Sequence, residues 1–160
     1  MQNLIVQKRQ QPRRGAVAVE FAFIAPMLLA IVLGMIELTR VYDAQYLLQT
    51  AAREGARFAA MDREGMLANG QTGNSKLTSD VTSFLASAGI PSGDVQVDIL
   101  DHDDPNQTFD IDDPANDLRL FRVEITVPFS SVSYTPVSAA NDYNLTGAIT
   151  FRNGRATLSQ

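Results

Sequence analysis

Arg13-Arg14-Gly15-Ala16-Val17-Ala18-Val19-Glu20-Phe21 joins a short basic leader to an apolar run long enough to cross a membrane. From Ala16 to Ile36 the only ionisable side chain is Glu20, the fifth residue after Gly15. At about 1.5 Å of rise per residue, a helix over this run matches the roughly 30 Å hydrocarbon core of a bilayer. A lone carboxylate is costly in lipid, so a bland anchor would not carry one. Glu20 is therefore a candidate functional group.

Lys8, Arg9, Arg13 and Arg14 precede the run with no acid among them, and Glu37, Arg40 and Asp43 mark the return to water. This asymmetry predicts an amino terminus in the cytoplasm and a C-terminal domain outside. Three kinds of segment compete. A secretory signal peptide has a short apolar region and a small-residue exit, whereas this run is too long and passes into a helical pattern with no Ala-x-Ala site. An uncleaved signal anchor fits the length. A prepilin-type leader, cut on the cytoplasmic side between Gly15 and Ala16, accounts for Gly15 and Glu20 together. The small Gly15 lets a protease approach the backbone, and the new ammonium at Ala16 can pair with Glu20 of a neighbouring subunit, offsetting the cost of burying either charge alone. Pro26 removes one backbone bond within the run and predicts a kink that a membrane helix tolerates. Ala30 and Gly34 form a small-xxx-small pair suited to close helix contact.

The helical period continues past the run. Val41, Ala44, Leu48, Ala51, Ala52, Gly55 and Ala59 share one face, with Arg40, Asp43, Gln49, Arg53, Glu54 and Arg57 mainly elsewhere. This predicts one helix from about Ala16 to about Met61, laying its small-residue face on a core. The stretch Asn69–Ser75 reads as a polar, glycine-bearing loop. Leu77, Val81, Phe84, Leu85 and Ala88 then repeat at helical spacing up to Gly89 and Pro91. Val95–Ile99 and Phe121–Val127 alternate as strands of an antiparallel sheet with one wet face, and Pro128 closes the second strand or puts it at an edge. A third strand is expected near Leu145–Phe151. The predicted fold is α+β: a long N-terminal membrane-spanning helix running into a small extracytoplasmic domain with a short helix and an antiparallel sheet. The expected divisions are a leader at 1–15, a transmembrane helix at 16–38, its amphipathic continuation at 39–62 and the α+β domain at 63–160.

The chain has no cysteine, which excludes disulfides, zinc–thiolate sites and cysteine nucleophiles. Its formal net charge is -5, and no basic patch follows the leader, so nucleic acid is not an expected partner. The single histidine, His102, reads as an exposed loop residue. The acidic stretch with Asp101, Asp103, Asp104, Asp110, Asp112, Asp113 and Asp117 invites a calcium reading, with Asp101, Asp103 and Asp104 as the candidate ligands. The EF-hand pattern fails, since Pro105 and Asn106 fall where an acid and the turn glycine are needed. A solvated loop is the expectation there. No enzyme constellation and no cofactor motif is found.

With these residues in view, the chain resembles the TadE-like minor pilins, pseudopilins of the bacterial tight-adherence (Tad) pilus. The resemblance lies in Arg13-Arg14-Gly15 followed by Ala16–Ala22, in Pro26–Leu29, and in Ala51-Ala52-Arg53-Glu54-Gly55-Ala56-Arg57-Phe58-Ala59, about the first third of the chain. It implies leader removal between Gly15 and Ala16 by a membrane-embedded aspartyl prepilin peptidase, with Glu20 needed for processing or assembly. It implies a non-enzymatic protein of the bacterial inner membrane or the pilus itself, serving surface adhesion, biofilm formation or secretion. The implied partners are other minor pilins, the major pilin, platform proteins, an assembly ATPase and inner-membrane lipid. The alternative is an uncleaved, membrane-anchored extracytoplasmic binding module whose acidic loop takes calcium.

Overall fold

The computed structural model describes residues 14–61, 63, 65–68, 70–134 and 142–154. The elements in chain order are helix α1 (Arg14–Ala60), helix α2 (Gly73–Ser87), and strands β1 (Gln96–Asp101), β2 (Leu120–Pro128) and β3 (Asn144–Arg152). This is the α+β arrangement expected. The chain divides into two units, Met1–Ile36 and Glu37–Gln160.

In the second unit, the Glu37–Ala60 portion of α1 buries Ala44, Leu48, Ala51, Ala52 and Ala59 of the face read from the sequence, and Ala56 beside them. Small residues allow close approach. A Cβ added at Gly147 of β3 would lie 2.6 Å from both the carbonyl carbon and the Cβ of Leu48, so helix backbone rests directly on strand backbone there. Gly55 faces α2 in the same manner, with Val81 3.0 Å from where a Cβ would stand.

Helix α2 buries Leu77, Val81 and Leu85. It starts earlier than the sequence pattern implied, because Thr72 caps it: the Thr72 hydroxyl accepts from the Ser75 N–H at 3.2 Å, drawing Gly73–Ser75 out of the expected loop and into the first turn. It ends at Ser87, and Gly89, two residues on, has a φ of 93° that lets the chain turn back. The Ile90 N–H donates to the Leu85 carbonyl and the Gly89 N–H to that of Ala86, satisfying the last turn, while Ile90 inserts into the core.

The sheet order is β1-β2-β3, antiparallel throughout, with Ile99, Val123 and Ile149 in register. β2 turns Phe121, Val123, Ile125 and Val127 fully inward and alternates with partly exposed residues. Pro128 closes β2 and does not make it an edge; β2 is the central strand. The chain after β1 doubles back, the Asp101 N–H donating to Gln107 and the Phe109 N–H to Ile99, so that residues 107–109 cover part of the β1 edge.

That segment corrects the reading of a merely solvated acidic loop. Phe109 and Ile111 are core residues, and Phe109 stacks on Phe121 with ring centroids 5.5 Å apart. A polar knot closes the end of the domain remote from Glu37. Buried Arg63 donates to the carbonyls of Ala59 and, at 2.6 Å, Ile111, and pairs with Asp112 at 3.4 Å. Buried Asn153 donates from its side-chain amide to the Ile111 and Asn116 carbonyls, each at 3.1 Å. The Gly73 N–H donates to Asp112, tying the start of α2 to the same knot. Buried charge is tolerated here because guanidinium and carbonyls satisfy one another.

After β2, the Ser130 hydroxyl and N–H donate to Asp142 at 2.6 and 3.0 Å. The hydroxyl bond is the main reason the Asp142 carboxyl titrates below the usual aspartate value.

Two predictions follow from this packing. Gly147→Ala forces helix and strand apart and is expected to cost about 1–3 kcal/mol, the range for overpacking a tight contact; thermal melts of the detergent-solubilised full chain would show a lowered midpoint. Because the Asp142 pKa is depressed in the folded chain, its stabilisation is present above the ordinary carboxylate value and lost as pH falls through the lowered one. Ser130→Ala is expected to move the Asp142 midpoint upward, as read by a carboxyl-carbon NMR titration.

Candidate membrane anchor and assembly helix

In the first unit, α1 exposes apolar residues on every side: Val17, Val19, Phe21, Phe23, Ile24 and Met27 are each more than half exposed, and the pattern continues through Leu33 and Met35. A helix that is apolar all round and uncovered among the described residues calls for apolar surroundings, lipid or partner helices. By length and composition it is long and apolar enough to cross a membrane, with none of its most apolar window buried. It fits a single-pass membrane anchor.

Against this background the three sequence-predicted positions stand out. Glu20 is exposed and, among the described residues, has no ion-pair partner within the chain. Gly15 is exposed, and a Cβ there would meet nothing within 4 Å, so its backbone is open to approach. Pro26 lies within α1, which remains helical across it. The bond donated at this position is lost, leaving the Ala22 carbonyl without its usual partner. Ala30 and Gly34 are both exposed and four residues apart on the helix. The basic leader residues Lys8, Arg9 and Arg13 lie outside the described residues, as do the side chains of Arg14 and Ala16.

Where the apolar run ends, charged groups engage a distant loop. The Glu37 carboxylate accepts from the Ser133 hydroxyl and from the Tyr134 N–H, both at 3.1 Å. The Arg40 guanidinium lies 4.4 Å from the centroid of the Tyr134 ring. The cation–π contact and the carboxylate together hold this loop on the helix. Sequence reading missed this cluster, for which the sequence carries no periodic signal.

The acidic loop is built differently from a metal centre. Buried Asp101 pairs with Arg119 at 2.7 Å through one oxygen and accepts the Asp103 N–H at 2.9 Å through the other. Asp104 accepts the Asn106 N–H, Asp110 that of Asp112, and Asp113 that of Ala115. Four aspartates thus each bond the backbone two residues on, which is how such side chains make turns. Among the described residues, no group of three or more histidine, aspartate or glutamate side chains is placed to hold a metal ion. His102 is exposed in this loop.

No curated protein and no solved structure matches the chain significantly. The family model of TadE-like proteins matches residues 15–57, which takes in Gly15, Glu20, Pro26 and most of the small-residue face of α1. Over these residues the long helix is similar to that of TadE-like proteins.

Proposed function

We propose that the protein is a minor pilin, or pseudopilin, acting in assembly of a Tad pilus for surface adhesion or secretion. The observation that carries this reading is the single carboxylate, Glu20, exposed on an uncovered apolar helix inside the TadE-like segment. In this reading a prepilin peptidase cuts between Gly15 and Ala16. The amino terminus then starts the helix at Ala16, one turn before Glu20. An ammonium at a helix N-terminus opposes the positive end of the macrodipole, so a carboxylate within the first turns favours it. Glu20 of a neighbouring subunit supplies that charge when apolar helices bundle, and Ala30 and Gly34 offer a surface for close contact.

The same reading gives a single-pass protein of the bacterial inner membrane, amino terminus cytoplasmic and domain extracytoplasmic, consistent with the basic leader and the positive-inside rule. Its partners are the prepilin peptidase, other minor pilins, the major pilin, the platform proteins and membrane lipid, and its role is structural and not enzymatic. The calcium-binding alternative draws no support from the acidic loop, where Asp101, Asp104, Asp110 and Asp113 spend carboxylate oxygens on their own backbone.

The N-terminal peptide of the protein from native membranes is expected to begin at Ala16 in cells with the peptidase and upstream of it in cells without. Gly15→Leu is expected to abolish that processing, and an unchanged mature mass would overturn the cleavage site. Glu20→Ala is expected to leave membrane insertion intact while abolishing or strongly reducing piliation; normal pili from this variant would remove Glu20 from the mechanism.

A further inference from the structure

Tyr134 is an exposed aromatic that is nonetheless fixed. Its side of the loop is bound by Glu37, the first ionisable residue after Glu20, and its ring lies over Arg40, yet Tyr134 remains 68% exposed. The first two charges past the apolar run, Glu37 and Arg40, are thus used to hold an amphipathic ring facing outward. Tyr42, two residues past Arg40 along α1, is 63% exposed. Leu38 is the last exposed large apolar residue before it, Val41 being packed against the core.

Distances along the helix decide which tyrosines belong together. Tyr42 is four residues past Leu38, about 6 Å along the axis. The headgroup layer on each side of a bilayer is about 5–8 Å thick, from the difference between the whole membrane and its hydrocarbon core. Tyr42 therefore falls within that layer when Leu38 sits at its inner boundary. Tyr46 lies another four residues on, about 12 Å from Leu38, and falls beyond it. Tyrosine suits this layer because one end of its ring is apolar and the other is polar. The charges at hand, Glu37 and Asp43 against Arg40, give no basic cluster, so the surface matches lipid through its aromatic rings and not through anionic headgroups.

We propose that Tyr42 and Tyr134 form an interfacial seat by which the helix-exit end of the domain rests in the headgroup layer of the bilayer. The partner is the lipid surface, and the argument from continuity with the apolar run rests on the anchor reading given above.

The chain contains no tryptophan, so Tyr42→Trp, Tyr134→Trp, Tyr46→Trp and Phe23→Trp each carry one reporter. The full chain is reconstituted in phosphatidylcholine vesicles with bromines placed either near the headgroups or near the acyl ends. The Tyr42→Trp and Tyr134→Trp chains are expected to lose fluorescence to the shallow bromines, and the Phe23→Trp chain to the deep ones. The Tyr46→Trp chain is expected to lose little to either, and quenching as strong as that of Tyr42→Trp would overturn the depth assignment. Quenching of Phe23→Trp without quenching of Tyr42→Trp and Tyr134→Trp would overturn the seat while leaving the anchor standing. Absence of quenching in all four would overturn the anchor and the seat with it. Quenching that appears only when phosphatidylserine is added would replace the aromatic seat with electrostatic attachment.

Discussion

The backbone of Leu48 lies against Gly147, and the rest of the domain depends on that approach. A helix brought so close to a strand has little room for large side chains of its own, which is why its buried face is Ala44, Ala51, Ala52, Ala56 and Ala59 around one leucine. Volume is supplied from the other side: Phe121, Ile125 and Val127 from the sheet, Leu77 and Leu85 from α2, and Phe109 and Ile111 from the loop after β1. Interiors pack to near-crystalline density, so a thin helix surface and bulky facing residues are two halves of one solution. Gly55 repeats the arrangement toward α2, where Val81 occupies the space that a methyl group would need.

Much of this was legible in sequence, and the parts that were not share a physical reason. The small-residue stripe of α1, the leucine and valine stripe of α2 and the alternation of β2 are periodic, and periodicity reports which face is buried. Glu20 and Pro26 drew notice for the opposite reason, as interruptions of a monotonous apolar run, and Gly15 as the small residue just before it. Phe109 and Ile111 were missed because two core residues among aspartates make no period. Arg63 was missed because an isolated cation past a helix end looks the same whether it points to water or, as here, caps the Ala59 carbonyl and reaches Ile111. The grip of Glu37 on Tyr134 joins residues far apart in sequence, and nothing local announces it.

The density of acid after β1 is a matter of chain direction. Each of Asp101, Asp104, Asp110 and Asp113 accepts a backbone N–H two residues ahead, and the chain bends at each. These bends turn the segment back along β1 and into the buried knot of Arg63, Asp112 and Asn153. Composition alone does not separate such turns from a cation site, because short carboxylates serve both.

The contacts between α1 and β3 also set when the domain forms. Leu48 meets Gly147, and the Ala59 carbonyl accepts from the Gly154 N–H, so the first described element closes on the last. Contacts of such long sequence separation form late, after the intervening chain has been made. A ribosome thus releases the apolar run of α1 well before β3 exists. Closure of the core follows that release, and until β3 arrives the alanine face of α1 stays open to whatever apolar surface is nearby.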